Sequence, residues 1–274
     1  MPCGGHAQWV EAPGTGWVDV SGTHHRADTR FGPDGDIEPL FNAESRSVTT
    51  SVFLTTAVGL LPGLDAWAQV PFHHLQFDDV VRDRTSMGLG DPRFFLRAGP
   101  KALGLDTGLP IAVRAGVKFP WGNFPIDAEV IPLTEGQRDW EVLVELGHSF
   151  YPIPVYVMGW AGYRWRETNE AIARKPGDER LFYVAAGGTV GHFTWKMAVD
   201  GLLGRPPVRR LSSGLAIELE RDTRRLVQLL PAVGWRVGPG AVELGTRIPV
   251  IGRNLPAGPA LTLGYFITWD TSLW

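Results

Sequence analysis

Charged and apolar residues trade places one for one along most of this chain, and no other feature restricts its folding as much. In 138–150, "RDWEVLVELGHSF", Trp140, Val142, Val144 and Leu146 fall on one face, and Asp139, Glu141 and Glu145 on the other. A two-residue period marks a strand whose faces meet different surroundings. Such segments recur at about 16–26, 46–58, 64–77, 90–99, 108–119, 138–150, 154–166, 180–191, 193–203, 223–237, 241–250 and 259–270. The best helical pattern, "ERDTRRLVQLL", ends at Pro231 and also reads as a strand. The links between segments alternate as well. Those after even-numbered segments are short, such as "GLLPG", "YPI" and "GPG". Most after odd-numbered segments are long and polar, such as "ADTRFGPDGDIEPLFNAES", "DDVVRDRTSMGL" and "ETNEAIARKPGDE". An up-and-down antiparallel barrel with tight turns at one end and loops at the other has this rhythm.

Two architectures accept these faces. A soluble sandwich or lipocalin-like barrel points its apolar rows inward, whereas a membrane barrel points them at lipid and lines its lumen with charge. Both signs of charge lie at comparable heights, which suits pairing inside a lumen. Aromatics gather toward segment ends (Trp17, Phe119, Trp140, Phe150, Trp165, Phe193, Trp235, Tyr265, Trp269), as in interfacial girdles. With the link pattern, these features favour the membrane barrel. The expected architecture is all-β: one antiparallel transmembrane barrel of about twelve strands over 16–274, behind a flexible segment 1–15. Its expected lumen row is Arg93, Phe95, Arg97, Arg114, Lys118, Asp139, Glu141, Glu145, Arg164, Arg166, Lys196, Asp200, Glu243 and Arg247. Its expected lipid face includes Phe94, Leu96, Phe119, Trp140, Trp165, Phe193, Trp195, Trp235 and Trp269. The lumen charges read either as a selectivity-setting lining or as a paired network filling a narrow barrel. "PWGNFPIDAEVIPL" is apolar enough to fold inward as a lid.

Other function classes find little support. The formal net charge of −3 and the lack of a basic tract argue against a nucleic-acid partner. No apolar run reaches the length of a membrane helix. The single cysteine, Cys3, rules out an internal disulfide framework. The opening residues lack a charged and an apolar leader region, so a targeting segment is expected to have been removed or truncated. No hydrolase elbow, P-loop, HExxH or CxxC occurs. His24–His25 and His73–His74 are adjacent pairs, which a strand points to opposite faces, against a shared metal. "GPDGDIE" reads as a glycine-bearing turn in preference to a calcium loop. His148 and Ser149 also face opposite ways, so no catalytic dyad, cofactor or metal site is expected.

Four stretches resemble a known family. "GLGDPRFFLRAG" (88–99) is similar to a strand start found in outer-membrane proteins associated with the meta-pathway of phenol degradation. "GWVDVSGTHHRADTRFGPDGDIEPL", "AGVKFPWGN…IPLTEGQRDWEVLVELGHSF" and "GRNLPAGPALTLGYF" resemble other parts of the same family in the same order. The resemblance implies an outer-membrane channel for small molecules, hydrophobic or aromatic compounds among them. A monomer in contact with membrane lipid and lipopolysaccharide, inserted by the outer-membrane assembly machinery, is expected. One departure stands out: Thr268, Asp270 and Ser272, the alternate positions before the terminal Trp274, are polar.

Overall fold

The computed structural model describes residues 10–41, 45–105, 110–127 and 129–270. Twelve antiparallel strands close into one barrel. They are β1 (Thr15–Ala27), β2 (Arg46–Leu61), β3 (Leu64–Asp78), β4 (two segments, Asp83–Leu89 and Arg93–Ala98), β5 (Ile111–Lys118) and β6 (Asp139–Ser149). They continue as β7 (Val155–Arg166), β8 (Glu179–Val190), β9 (Phe193–Gly204), β10 (Arg225–Val237), β11 (Gly240–Arg253) and β12 (Ala260–Asp270). Each strand pairs with its chain neighbours, and β12 returns to β1, with Thr15 opposite Asp270 and His25 opposite Ala260. Closure matters because an open edge would leave unpaired N–H and C=O groups. No α-helix occurs among the described residues.

The end at which β1 begins is called lower here, and the opposite end upper. Lower turns use glycine where a positive φ is required, as at Gly63 (φ 78°) and Gly191 (φ 61°). At the upper end several links carry structure of their own. Thr29–Phe31, Ile37–Pro39 and Leu255–Pro256 form a small three-stranded sheet. Arg174–Lys175, Val208–Arg210 and Ala216–Glu218 form another.

Two expectations from sequence need correcting. "DDVVRDRTSMGL" is not a loop: β3 and the upper segment of β4 run on as a hairpin that turns within 79–82. Likewise "GLGDP", which resembles a strand start, is a break between the two segments of β4. At the break Gly90 N–H still bonds Pro71 C=O at 2.9 Å, and a Cβ on Gly90 would sit 2.4 Å from the His73 ring. A side chain cannot be accommodated there without displacing the imidazole.

The faces are sorted as follows. Along β6, Trp140, Val142, Val144 and Leu146 are 38–56% exposed, while Asp139, Glu141, Leu143 and Glu145 are all at 8% or less. The charged row is therefore the interior and the apolar row the exterior, the reverse of a soluble barrel.

Candidate functional site: the barrel interior

Registers fix which side chains meet inside. Partners across an antiparallel pair point the same way. One inward row runs Asp19–Thr55–Gln69–Arg93–Lys118–Asp139–Arg166 through six successive strand pairs. A second runs Arg97–Arg114–Leu143–Gly162–Leu181–Leu202–Leu226. All fourteen expected lumen residues lie on inward positions of the strands.

On the side formed by β3 to β8 the interior is largely buried and most of its charges are paired. Arg97 and Asp65 both have 0% side-chain exposure and are joined at 2.6 Å. Asp65 also accepts the Glu11 N–H at 2.9 Å, so the segment entering β1 is tied to the same carboxylate. Residues 1–9 of the expected N-terminal segment lie outside the described residues. Glu145 bridges Arg97 (3.5 Å) and Arg114 (2.9 Å). The Arg114 guanidinium lies 4.8 Å from the Trp67 ring centre and 5.1 Å from Phe95. Such stacking shields its charge on faces no carboxylate reaches. Phe95, the aromatic between two arginines, thus packs a filled interior. Trp17 joins it: expected in a girdle, this residue is buried inside, edge-on to Trp67 at 4.8 Å. Its parity on β1 places it with Asp19 and Ser21, inward.

Higher on the same side a denser network forms. Arg164 binds Glu141 and Glu179, each at 2.7 Å. Arg166 reaches Glu135 (2.6 Å), Glu179 (3.3 Å) and Asp139 (3.4 Å). Lys118 contacts Glu135, Asp139 (2.8 Å) and Asp91 (3.5 Å). Glu135 belongs to the link 119–138, so this link is drawn over the network. Asp91, in the β4 break, holds it by accepting the Trp121 and Glu135 N–H groups, each at 2.9 Å. The Asn169 amide donates to the Glu135 carbonyl at 2.9 Å. Burial alone would raise the Glu135 carboxyl, but Arg166 and Lys118 outweigh it and hold the group well below the usual carboxylate range. Above lies a cavity of about 430 Å³, floored by Glu135, Arg166, Glu179 and Arg224 and walled by Phe124, Ile172, Pro176 and Pro207.

The side formed by β9 to β12 with β1 is different. Lys196 and Glu243 pair at 2.6 Å with half-exposed side chains. Ser21 donates to Asp19 at 2.7 Å. Asp200 and Arg247 face the same space, and Arg247 is exposed. The stacked Trp160–Tyr183 pair, 5.6 Å apart, separates the two sides.

Outside, Phe94, Leu96, Phe119, Trp140, Trp165, Phe193, Trp195 and Trp235 are all exposed, and Trp269 lies against Gly16 on the outer face. The polar alternation of the last strand is settled by register: Thr268 pairs with inward Trp17, leaving Ile267 and Trp269 outward. Ser272 and Trp274 lie outside the described residues. No cluster that could hold a metal occurs among the described residues. His73 instead bonds Ser51 inside (2.8 Å), and His24 bonds Thr50 (3.0 Å). Sequence periodicity missed Asp65, Asp91, Glu135 and Glu179.

Comparison with known proteins gives a consistent picture of the fold. An outer membrane channel from Pseudomonas putida F1 superposes with a TM-score of 0.75 over 96% of this chain and 98% of that one, at 14% identity. The fold is that channel's fold. Less similar structures include the monoaromatic hydrocarbon channel CymD (TM-score 0.49, 8% identity, 99% and 94% covered). The Ralstonia pickettii toluene transporter TbuX follows (TM-score 0.46, 10% identity, 95% and 90% covered). No family model and no curated protein matches the chain.

Proposed function

We propose that this chain is a monomeric outer-membrane channel that passes small molecules, hydrophobic or aromatic compounds among them. The observation that carries the reading is the sidedness of the wall: apolar, aromatic-flanked residues outside and ionised residues inside, on the same strands. In water the exterior would be one continuous apolar patch, far beyond what soluble monomers expose. In lipid it is the required surface, with Trp140, Trp165 and Phe119 toward the upper end and Trp235, Phe193 and Trp195 toward the lower. The role is one of passage without catalysis. Phe124 and Ile172 at the upper cavity supply surface for an aromatic solute. Membrane lipid and lipopolysaccharide are the surrounding partners, and the assembly machinery of the outer membrane inserts the barrel.

A second reading, a structural barrel without transport, is favoured by one observation: the ion pairs on the β3–β8 side are closed and buried. Reconstitution decides. Purified protein in planar bilayers gives discrete current steps, and proteoliposomes take up small solutes, if the channel reading holds. Silent bilayers and unchanged uptake overturn it. Folding to a monodisperse species in plain buffer would remove the membrane reading itself.

A further inference from the structure

We infer that solutes cross in a water-filled route off the barrel axis, along the wall of β9 to β12 and β1, and that Asp19, Lys196, Asp200, Glu243 and Arg247 line it. This rests on the channel reading and says which of its charges govern passage. Inward charges differ sharply in what surrounds them. Asp65 and Arg97 are sealed at 0%, yet the inward Glu243 side chain is 47% exposed and Arg247 is also exposed. Arg247 stands near the middle of β11, seven residues above Gly240, or roughly 24 Å of strand. Its flanking Thr246 and Ile248 point outward. Its ladder partner is the buried Ala260, which lies opposite inward His25. On this wall Arg247 is level with the first residue of β12, so its side chain opens toward the upper mouth, and the exposed inward Glu243 lies four residues below it. Lys196 and Glu243 continue that space downward, and Asp200 lies opposite on β9.

The wall also supplies room. Small residues at inward positions near these charges include Ala198, Ala232 and Gly264, among the larger Leu230, Thr262 and Phe266. At Gly264 a Cβ would meet only Asp19 Oδ1 at 3.3 Å and the Ser21 Cβ at 3.4 Å. Inward positions on the other side carry Arg97, Arg114, Leu143, Glu141 and Arg164 beside the small Ala112, Gly116 and Gly162, whose space those long side chains fill. Small residues alone would mean little; here they border exposed inward charge.

The test uses the whole barrel in lipid vesicles, with Cys3→Ser removing the native thiol. Single cysteines are placed at Glu243, Arg247, the buried inward Ala112, and Val81, 79% exposed at a turn. A membrane-impermeant methanethiosulfonate is the probe. Glu243→Cys and Arg247→Cys are expected to react within about ten-fold of the Val81→Cys rate, and Ala112→Cys at least a hundred-fold slower. Modification is expected to lower the current at least two-fold, as is Gly264→Leu without a probe. Arg247→Cys reacting as slowly as Ala112→Cys overturns the route. So does an unchanged current after full modification of Glu243→Cys. If the unmodified barrel carries no current, the channel reading falls, while fast reaction at Arg247→Cys still upholds the water-filled route.

Discussion

The two sides of the barrel interior carry the same residue types and use them differently. From β3 to β8, carboxylates and guanidinium groups bond one another at 2.6–3.5 Å with side chains no more than 15% exposed. From β9 to β12 the charges are fewer, half-exposed, and spaced by glycine and alanine. A charged lumen is therefore not by itself a conducting one. What distinguishes a filler from a lining is whether each charge has spent its hydrogen bonds on the protein. Arg166 is buried against three carboxylates, whereas Arg247 is exposed.

The difference can be broken at its buried end with the largest effect. Asp65→Ala leaves Arg97 ionised and buried without its closest partner, so the barrel should lose about 3–5 kcal/mol. Urea titration in lipid vesicles, read by heat-dependent gel mobility, measures it. The double replacement Asp65→Leu with Arg97→Met should recover most of that loss, because a buried pair is often matched by apolar residues of similar volume. A double variant as unstable as the single one would show that the pair does more than neutralise itself.

Next in size is the clamp on 119–138. Asp91→Ala removes two charge-assisted bonds to main-chain N–H groups and should cost about 1–3 kcal/mol. The local result is faster proteolysis within 119–138 with the barrel intact. On the wet side the expected stability effect is smallest. Glu243→Gln should change stability by less than about 1 kcal/mol, as for exposed pairs, yet shift the reversal potential in a salt gradient. Glu141→Gln, on the buried side, should do the opposite.

Acid provides a last comparison. The Glu135 carboxyl is held below its ordinary 4.5, so its contribution is present above that value and is lost only as pH falls through the lower folded one. Protection of 119–138 from protease should therefore stay constant between pH 7 and pH 5. Release of the link within that window would contradict the role given to Arg166 and Lys118.

Much of this was legible in the chain. Twelve alternating segments correspond to twelve strands, because a period of two leaves each residue only one face to occupy. Faces of β5, β6, β7 and β9 followed from Arg114, Glu145, Arg164 and Lys196 alone. What escaped had physical causes. Trp17 sits at a strand end like a girdle residue, and only its parity with Asp19 turns it inward. The upper segment of β4 hid behind Gly88 and Gly90, which punctuate a strand as readily as a loop. Asp91 and Glu135 lie where periodicity stops, and their roles depend on contacts with segments distant in sequence. Wetness was invisible, since exposure inside a barrel depends on neighbours several strands away.

One consequence follows from the way Asp91 grips its link. Both bonds go to peptide N–H groups, of Trp121 and Glu135, and neither reads a side chain. These two anchor points are thus fastened without regard to the side chain that each residue carries. Other ties of the same link do read side chains: Glu129 pairs with Arg82, and Thr134 accepts the Gly136 N–H. Substitutions at Trp121 or Glu135 would therefore leave the Asp91 grip on the link in place, while those at Glu129 or Thr134 would each remove a separate tie.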